Sequence, residues 1–155
     1  MMSTYRGIAA RLALVPVAMA AAVLIAWRAV PAPLPPVRIV KPASCGCCAR
    51  WADYMKQQGF SVTVENRDDL TGLKRQNGIT PLLESCHTAF VGGYVIEGHV
   101  PADLVKKLLA DRPAGIRGLA APGMPPSSPG MDTPGQHYTV YSFDARGRTR
   151  VYAVR

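Results

Sequence analysis

Val37-Arg38-Ile39-Val40-Lys41-Pro42-Ala43-Ser44-Cys45-Gly46-Cys47-Cys48-Ala49-Arg50-Trp51 joins a short apolar run to three crowded thiols and then to a helical pattern. Val37 to Val40 reads as a buried strand. From Cys47 to Gln58, Trp51, Tyr54 and Met55 recur at helical spacing, and Gly59 supplies the stop. A strand that feeds a helix through a cysteine loop sets the class as α/β. Further along, Ser61 to Glu65 alternates Val62 and Val64 as a second strand, parallel to the first and joined to it by a right-handed crossover. Asp68 or Asp69 caps a short helix running to Gln76, which Asn77-Gly78 ends. Thr88 to Val91 and Tyr94 to Ile96 flank Gly92-Gly93, a two-residue hairpin signal. Pro101 to Ala110 opens with a helix-starting proline and carries Leu104, Val105, Leu108 and Leu109 toward the core.

Beyond this unit, residues 113–136 hold six prolines and five glycines, which excludes a helix and predicts a long loop. Pro-Gly-Met occurs twice in it, ending at Met124 and Met131. His137 to Phe143 and Arg148 to Val154 alternate around Asp144-Ala145-Arg146-Gly147, a hairpin that either extends the sheet or covers its edge. Trp51 and Tyr54 read as core, with the indole N–H on a backbone acceptor. His137 reads as a strand-surface residue, and Arg146, Arg148 and Arg150 as one solvated strand face.

The 155 residues are 48% hydrophobic and carry a formal charge of +8, too apolar for a disordered chain. Leu12 to Trp27 is free of charge, with Arg6 and Arg11 before it and Arg28 after it. That pattern makes residues 1–30 a signal peptide or a retained signal anchor, and residues 31–36, PAPLPP, a stiff spacer. Without the first 28 residues, 15 basic residues stand against 10 acidic ones, a balance of +5. The basic residues are scattered and lack interleaved aromatics, which argues against a nucleic-acid partner. Export places the remaining chain in an oxidising space, the bacterial periplasm.

All four cysteines lie in that remaining chain. Ser44-Cys45-Gly46-Cys47-Cys48 falls between a strand and a helix, where backbone amides and the helix dipole favour thiolate. Cys45 and Cys48 have the C-x-x-C spacing of thiol oxidoreductases, but Cys47 between them is a competing partner for exchange. Zinc prefers two well-separated ligand pairs, whereas adjacent thiolates suit Cu(I), singly or as several ions sharing sulfurs. Two structural disulfides are the remaining alternative, since four exported cysteines allow three pairings.

Lys41-Pro42-Ala43-Ser44-Cys45-Gly46-Cys47-Cys48, then Ser85-Cys86-His87-Thr88-Ala89, then Glu97-Gly98-His99-Val100-Pro101 resemble the CopG-like family of periplasmic copper-resistance proteins, over about Val37 to Met131. The resemblance implies a thioredoxin-like domain with a mixed central sheet over residues 37–112. The Met/Pro/Gly-rich loop over 113–136 and a C-terminal hairpin over 137–155, packing on the same domain, follow it. It also implies Cu(I) as the bound ion, with Cys45, Cys47, Cys48 and Cys86 as sulfur ligands. His87 matches the family histidine, standing where thioredoxins carry a cis-proline, which speaks against ordinary substrate-peptide binding. Met124 and Met131 match the family loop and offer thioethers. His99 reads as a cap on the approach to the Pro101 helix, with a ligand role as the alternative.

The leading expectation is therefore an envelope copper-binding protein that sequesters or redox-cycles Cu(I) and contributes to copper resistance. Its partners would be copper ions and other envelope copper-handling proteins, with the amino terminus as a single membrane anchor if it is retained. The competing expectation is a thiol-disulfide oxidoreductase acting through Cys45 and Cys48. The sequence specifies no turnover.

Overall fold

Strand β1, Val37–Lys41, buries Val37, Ile39 and Val40 and hands the chain to helix α1, Gly46–Gln57, across the cysteine loop. Gly59, at φ +91, reverses the chain after α1 as the helix-stop signal requires. Strand β2, Val62–Asn66, then pairs parallel with β1. Helix α2, Thr71–Gln76, has Leu70 rather than Asp68 or Asp69 at its N-cap, and the Asp69 carboxylate just before it accepts the Thr71 N–H at 2.8 Å. Strands β3, Thr88–Val91, and β4, Tyr94–Glu97, form the hairpin closed by Gly92-Gly93. Helix α3, Ala102–Asp111, follows Pro101. These elements belong to a computed structural model that describes residues 32–131 and 133–155. The signal or anchor expected over residues 1–30 lies outside the described residues. Among those described, no helix is long and apolar enough to cross a membrane.

The result is a mixed α/β fold on one seven-stranded sheet, ordered β2-β1-β3-β4-β5-β6-β7. The pleat divides its core in two. Ile96 and Leu119 join Trp51, Met55, Leu104, Val105 and Leu108 from α1 and α3, while their neighbours Val95 and Ala120 join Ile79, Leu83 and Phe143. Successive strand residues point to opposite faces, so α1 and α3 cover one face and the segment after α2 the other.

Two expectations need correction. The stretch from Pro113 is not loop throughout, because Gly118–Ala120 forms strand β5, parallel to β4 and antiparallel to β6. This strand is what lets β6, Thr139–Phe143, and β7, Thr149–Val154, extend the sheet. Nor do the three arginines share a strand: Arg146 lies in the turn, and Arg148 bonds back to Asp144 at 2.6 Å.

Candidate metal centre

Two walls build the site. The first is the start of α1, where Cys45 precedes the helix and Cys47 and Cys48 lie in its first turn, among amides with no intrahelical acceptor. The second continues the β3–β4 hairpin. Its ladder pairs Thr88 with Glu97, and Gly98 N–H donates to the His87 carbonyl at 2.9 Å, which brings Cys86 against His99. Gly98 is needed for this closure. Its φ is +71, and a Cβ there would lie 2.4 Å from Ser85 Oγ and 2.7 Å from the Ala121 carbonyl.

The four cysteine sulfurs lie within 4.8 Å of one another, and so do the donor atoms of Cys48, Cys86, His87 and His99. Cys48 and Cys86 belong to both sets. Cys45 and Cys48 are joined as a disulfide, while Cys47 and Cys86 are free and half-buried. Cys47 Sγ stands 3.5 Å from Cys45 Sγ.

His87 is fully buried, with its ring 4.5 Å from that of Trp51 and 5.1 Å from that of His99. Burial first, then His99 and the charges of Lys74 and Lys41, hold its pKa well below the usual histidine value, so the ring is neutral and able to ligate. Its Nδ1 lies 3.5 Å from Cys86 Sγ, and its buried Nε2 has no hydrogen-bond partner. Such an orphan costs about 1–3 kcal/mol. A soft cation among these sulfurs is the kind of group that fits the donors present. The indole of Trp51 behind the site donates to the Val100 carbonyl at 3.0 Å.

From the sequence, His99 stands first as a helix cap and only second as a ligand. It is fully buried, and its Nε2 is 3.0 Å from Cys86 Sγ. Its Nδ1 meets the Pro129 carbonyl at 2.7 Å, an acceptor only, so Nδ1 carries a proton and Nε2 faces Cys86. The signal was available. Counting back along both strands from the Gly92-Gly93 turn sets Cys86 opposite His99. Burial and the charge of Cys47 push the Cys86 thiol up to about 12.

Behind Cys86 sits a buried ion pair that the sequence did not announce. Lys74 Nζ donates to the Glu97 carboxylate and to the Ser85 carbonyl at 3.0 Å. Glu97 also accepts the Ser85 N–H at 2.7 Å and the Thr88 hydroxyl at 2.7 Å. The pair thus clamps the segment that carries Cys86 and His87.

The Met/Pro/Gly-rich loop covers the start of α1. Arg50 Nε donates to the Gly130 carbonyl at 2.7 Å, and Met131 is half-buried beside it. Met124 is 54% exposed and follows Gly123, which bridges to Ser85. A Cβ on Gly130, at φ +85, would lie 2.8 Å from the Trp51 backbone nitrogen. Gly130→Ala is therefore expected to destabilise the fold by about 1–3 kcal/mol and to lift Pro129 from His99. Urea denaturation checks it, and an unchanged midpoint would mean that the loop is not seated on α1.

Residues 83–131 match a family model described as a protein of unknown function, DUF411. No curated protein matches the chain. Two solved structures, the copper resistance protein copG in Form 1 and Form 2, align with a TM-score of 0.73 each, at 34% and 35% identity. Each alignment covers 79% of this chain and 98% of the other. Similarity of that extent spans both walls of the site, and the chain belongs to the family of the copper resistance protein copG.

Proposed function

We propose that this protein binds Cu(I) in the cell envelope on Cys47, Cys86 and the reduced forms of Cys45 and Cys48, with His87 and His99 as nitrogen donors. The observation that carries the reading is the convergence of four sulfurs and two neutral-capable imidazoles on overlapping sets no wider than 4.8 Å. Adjacent thiolates with a shared imidazole flank favour a soft monovalent ion over hard cations, and several ions bridged by sulfur over a single one. The solved relatives' description as copper resistance proteins supports copper as the ion. Met124 and Met131 lie on the loop over the α1 wall and would pass Cu(I) in or out as weak thioether ligands. The amino terminus, cleaved or retained as an anchor, supplies export.

Anaerobic titration of the reduced chain with Cu(I), followed by X-ray absorption at the copper edge, tests this. At least one copper per chain in sulfur-dominated coordination is expected, with affinity falling at least about 100-fold in Cys47→Ser/Cys86→Ser. Oxygen-dominated coordination, or exclusive retention of zinc, contradicts it. The Cys45–Cys48 disulfide favours a second reading, thiol-disulfide exchange on a partner protein. That reading requires insulin-reduction activity that survives Cys47→Ala and needs no copper.

A further inference from the structure

Lys41 ends β1 inside the protein at 6% exposure, where an ammonium has given up most of its hydration. The pleat sets its side chain on the face of Val37 and Ile39, the face that Trp51 and α1 cover. The β1–β3 register, which ends with Val40 against Thr88, continues by one step to set Lys41 opposite His87. The ammonium turns to the cysteine loop, donating to the Pro42 carbonyl at 2.9 Å and the Ala43 carbonyl at 3.3 Å. That Pro42 carbonyl also accepts the Cys45 N–H at 3.1 Å. Both acceptors are neutral. Among the described residues Lys41 makes no ion pair, whereas Lys74, the other buried lysine, is matched by Glu97. The charges of both lysines act on His87, so the site has behind it one buried cation without a carboxylate partner.

A neutral donor would hold the same two carbonyls without the cost of burying a charge. We propose that Lys41 sets the charge that the metal centre accepts, favouring a monovalent ion on two thiolates over a divalent one. The inference rests on the copper reading and adds how that site discriminates against zinc. With Cys45 and Cys48 bonded to each other, Cys47 and Cys86 are the free sulfurs, no more than 4.8 Å apart. A single ion with metal–sulfur bonds of about 2.3 Å, the zinc value, spans them. Two thiolates carry two negative charges, of which Cu(I) cancels one and Zn(II) cancels both. An imidazole that ligates is neutral, so His87 and His99 leave this balance unchanged. Lys41 therefore meets an opposite charge beside bound Cu(I) and none beside bound Zn(II). A unit charge acting across about 8 Å at the effective dielectric of a protein site changes affinity about 10–100-fold.

The test uses the full-length chain with the Cys45–Cys48 bridge closed and Cys47 and Cys86 shown free by alkylation. Competition against a Cu(I) chelator under anaerobic conditions, and separately against a Zn(II) chelator, gives two affinities referred to one metal-free state. Lys41→Gln, which keeps an N–H donor and removes the charge, should lower the ratio of Cu(I) to Zn(II) affinity about 10–100-fold. Lys41→Arg, which keeps the charge, should stay within about threefold of the parent ratio. A residue that only props the loop would weaken both metals together and leave the ratio unmoved, and that result in Lys41→Gln overturns the proposal. So does a Lys41→Arg ratio that falls as far as that of Lys41→Gln. If Lys41→Gln does not fold, X-ray absorption on the parent holding one Cu(I) decides. Two sulfur neighbours leave the negative charge that Lys41 matches, whereas a single sulfur leaves none and refutes the assignment. A parent that binds no Cu(I) refutes the copper reading itself, while Cu(I) bound at an unchanged ratio in Lys41→Gln refutes only the role of Lys41.

Discussion

Replacing Lys74 with methionine is expected to cost about 3–5 kcal/mol of folding stability, because it leaves the fully buried Glu97 carboxylate without its cation. Burial already pushes the Glu97 carboxyl above its ordinary value, and Lys74 is the charge that opposes the shift. Without Lys74 that pKa climbs further. A carboxyl whose folded pKa exceeds its unfolded value of about 4.5 contributes its stability in full below that pH and loses it as pH rises through the folded pKa. The deficit of Lys74→Met relative to the parent should therefore be smaller at pH 4.5 than at pH 8, as read from urea midpoints. Lys74→Met/Glu97→Gln removes the buried charge and keeps an acceptor for Ser85 N–H, so it should recover more than half of the loss. Cu(I) affinity should fall about 10–100-fold in the single variant, since the bonds to Ser85 hold the neighbour of Cys86 in place. Equal midpoint deficits at both pH values would show that Glu97 is not the group left exposed to the loss.

Much of this architecture was legible because it rests on local periodicity. Trp51 and Met55 at helical spacing, Val62 and Val64 in alternation, and Gly92-Gly93 between two apolar runs each specify an element from neighbouring residues alone. Strand β5 escaped because Gly118-Leu119-Ala120 is too short to show a period and lies among prolines and glycines. Only pairing with β4 and β6 makes it a strand. The site divides along the same line. CGCC is a local signal, and its place between β1 and α1 follows from the pattern around it. His99 needed one further step, counting the hairpin register back to Cys86. Lys74 and Glu97 could not be found that way, because they sit on different elements and meet only when α2 packs against the β3–β4 hairpin. The C-x-x-C spacing of Cys45 and Cys48 suggested exchange chemistry, and the intervening Cys47 suggested a metal. The structure bonds the first pair and leaves Cys47 free, so each signal described a different subset of one cluster.

The pH dependence of copper binding should identify Cys86 as a ligand by itself. Its thiol is pushed up to about 12, first by burial and then by the charge of Cys47. A metal binds the thiolate, so loading must displace that proton at any pH below about 12, and apparent affinity loses a factor of about ten for each unit the pH falls through this residue alone. Between pH 6 and pH 8 the contribution is about 100-fold, larger at higher pH. His87 adds nothing to this slope near neutrality, since its pKa already lies well below 6.5 and its ring is neutral. Competition against a Cu(I) chelator at pH 6, 7 and 8 should therefore give a slope steeper by one unit in the parent than in Cys86→Ser. The same shift acts on the metal-free fold with a fixed sign. Because the folded pKa lies above the unfolded value of about 9, the contribution to stability is present below pH 9 and is lost as pH rises toward 12. Metal-free protein should weaken above pH 9 while the copper-loaded protein, with Cys86 already deprotonated and paired, should not. Identical copper-binding slopes in the parent and in Cys86→Ser would remove Cys86 from the ligand set and leave its contact with His99 a matter of packing.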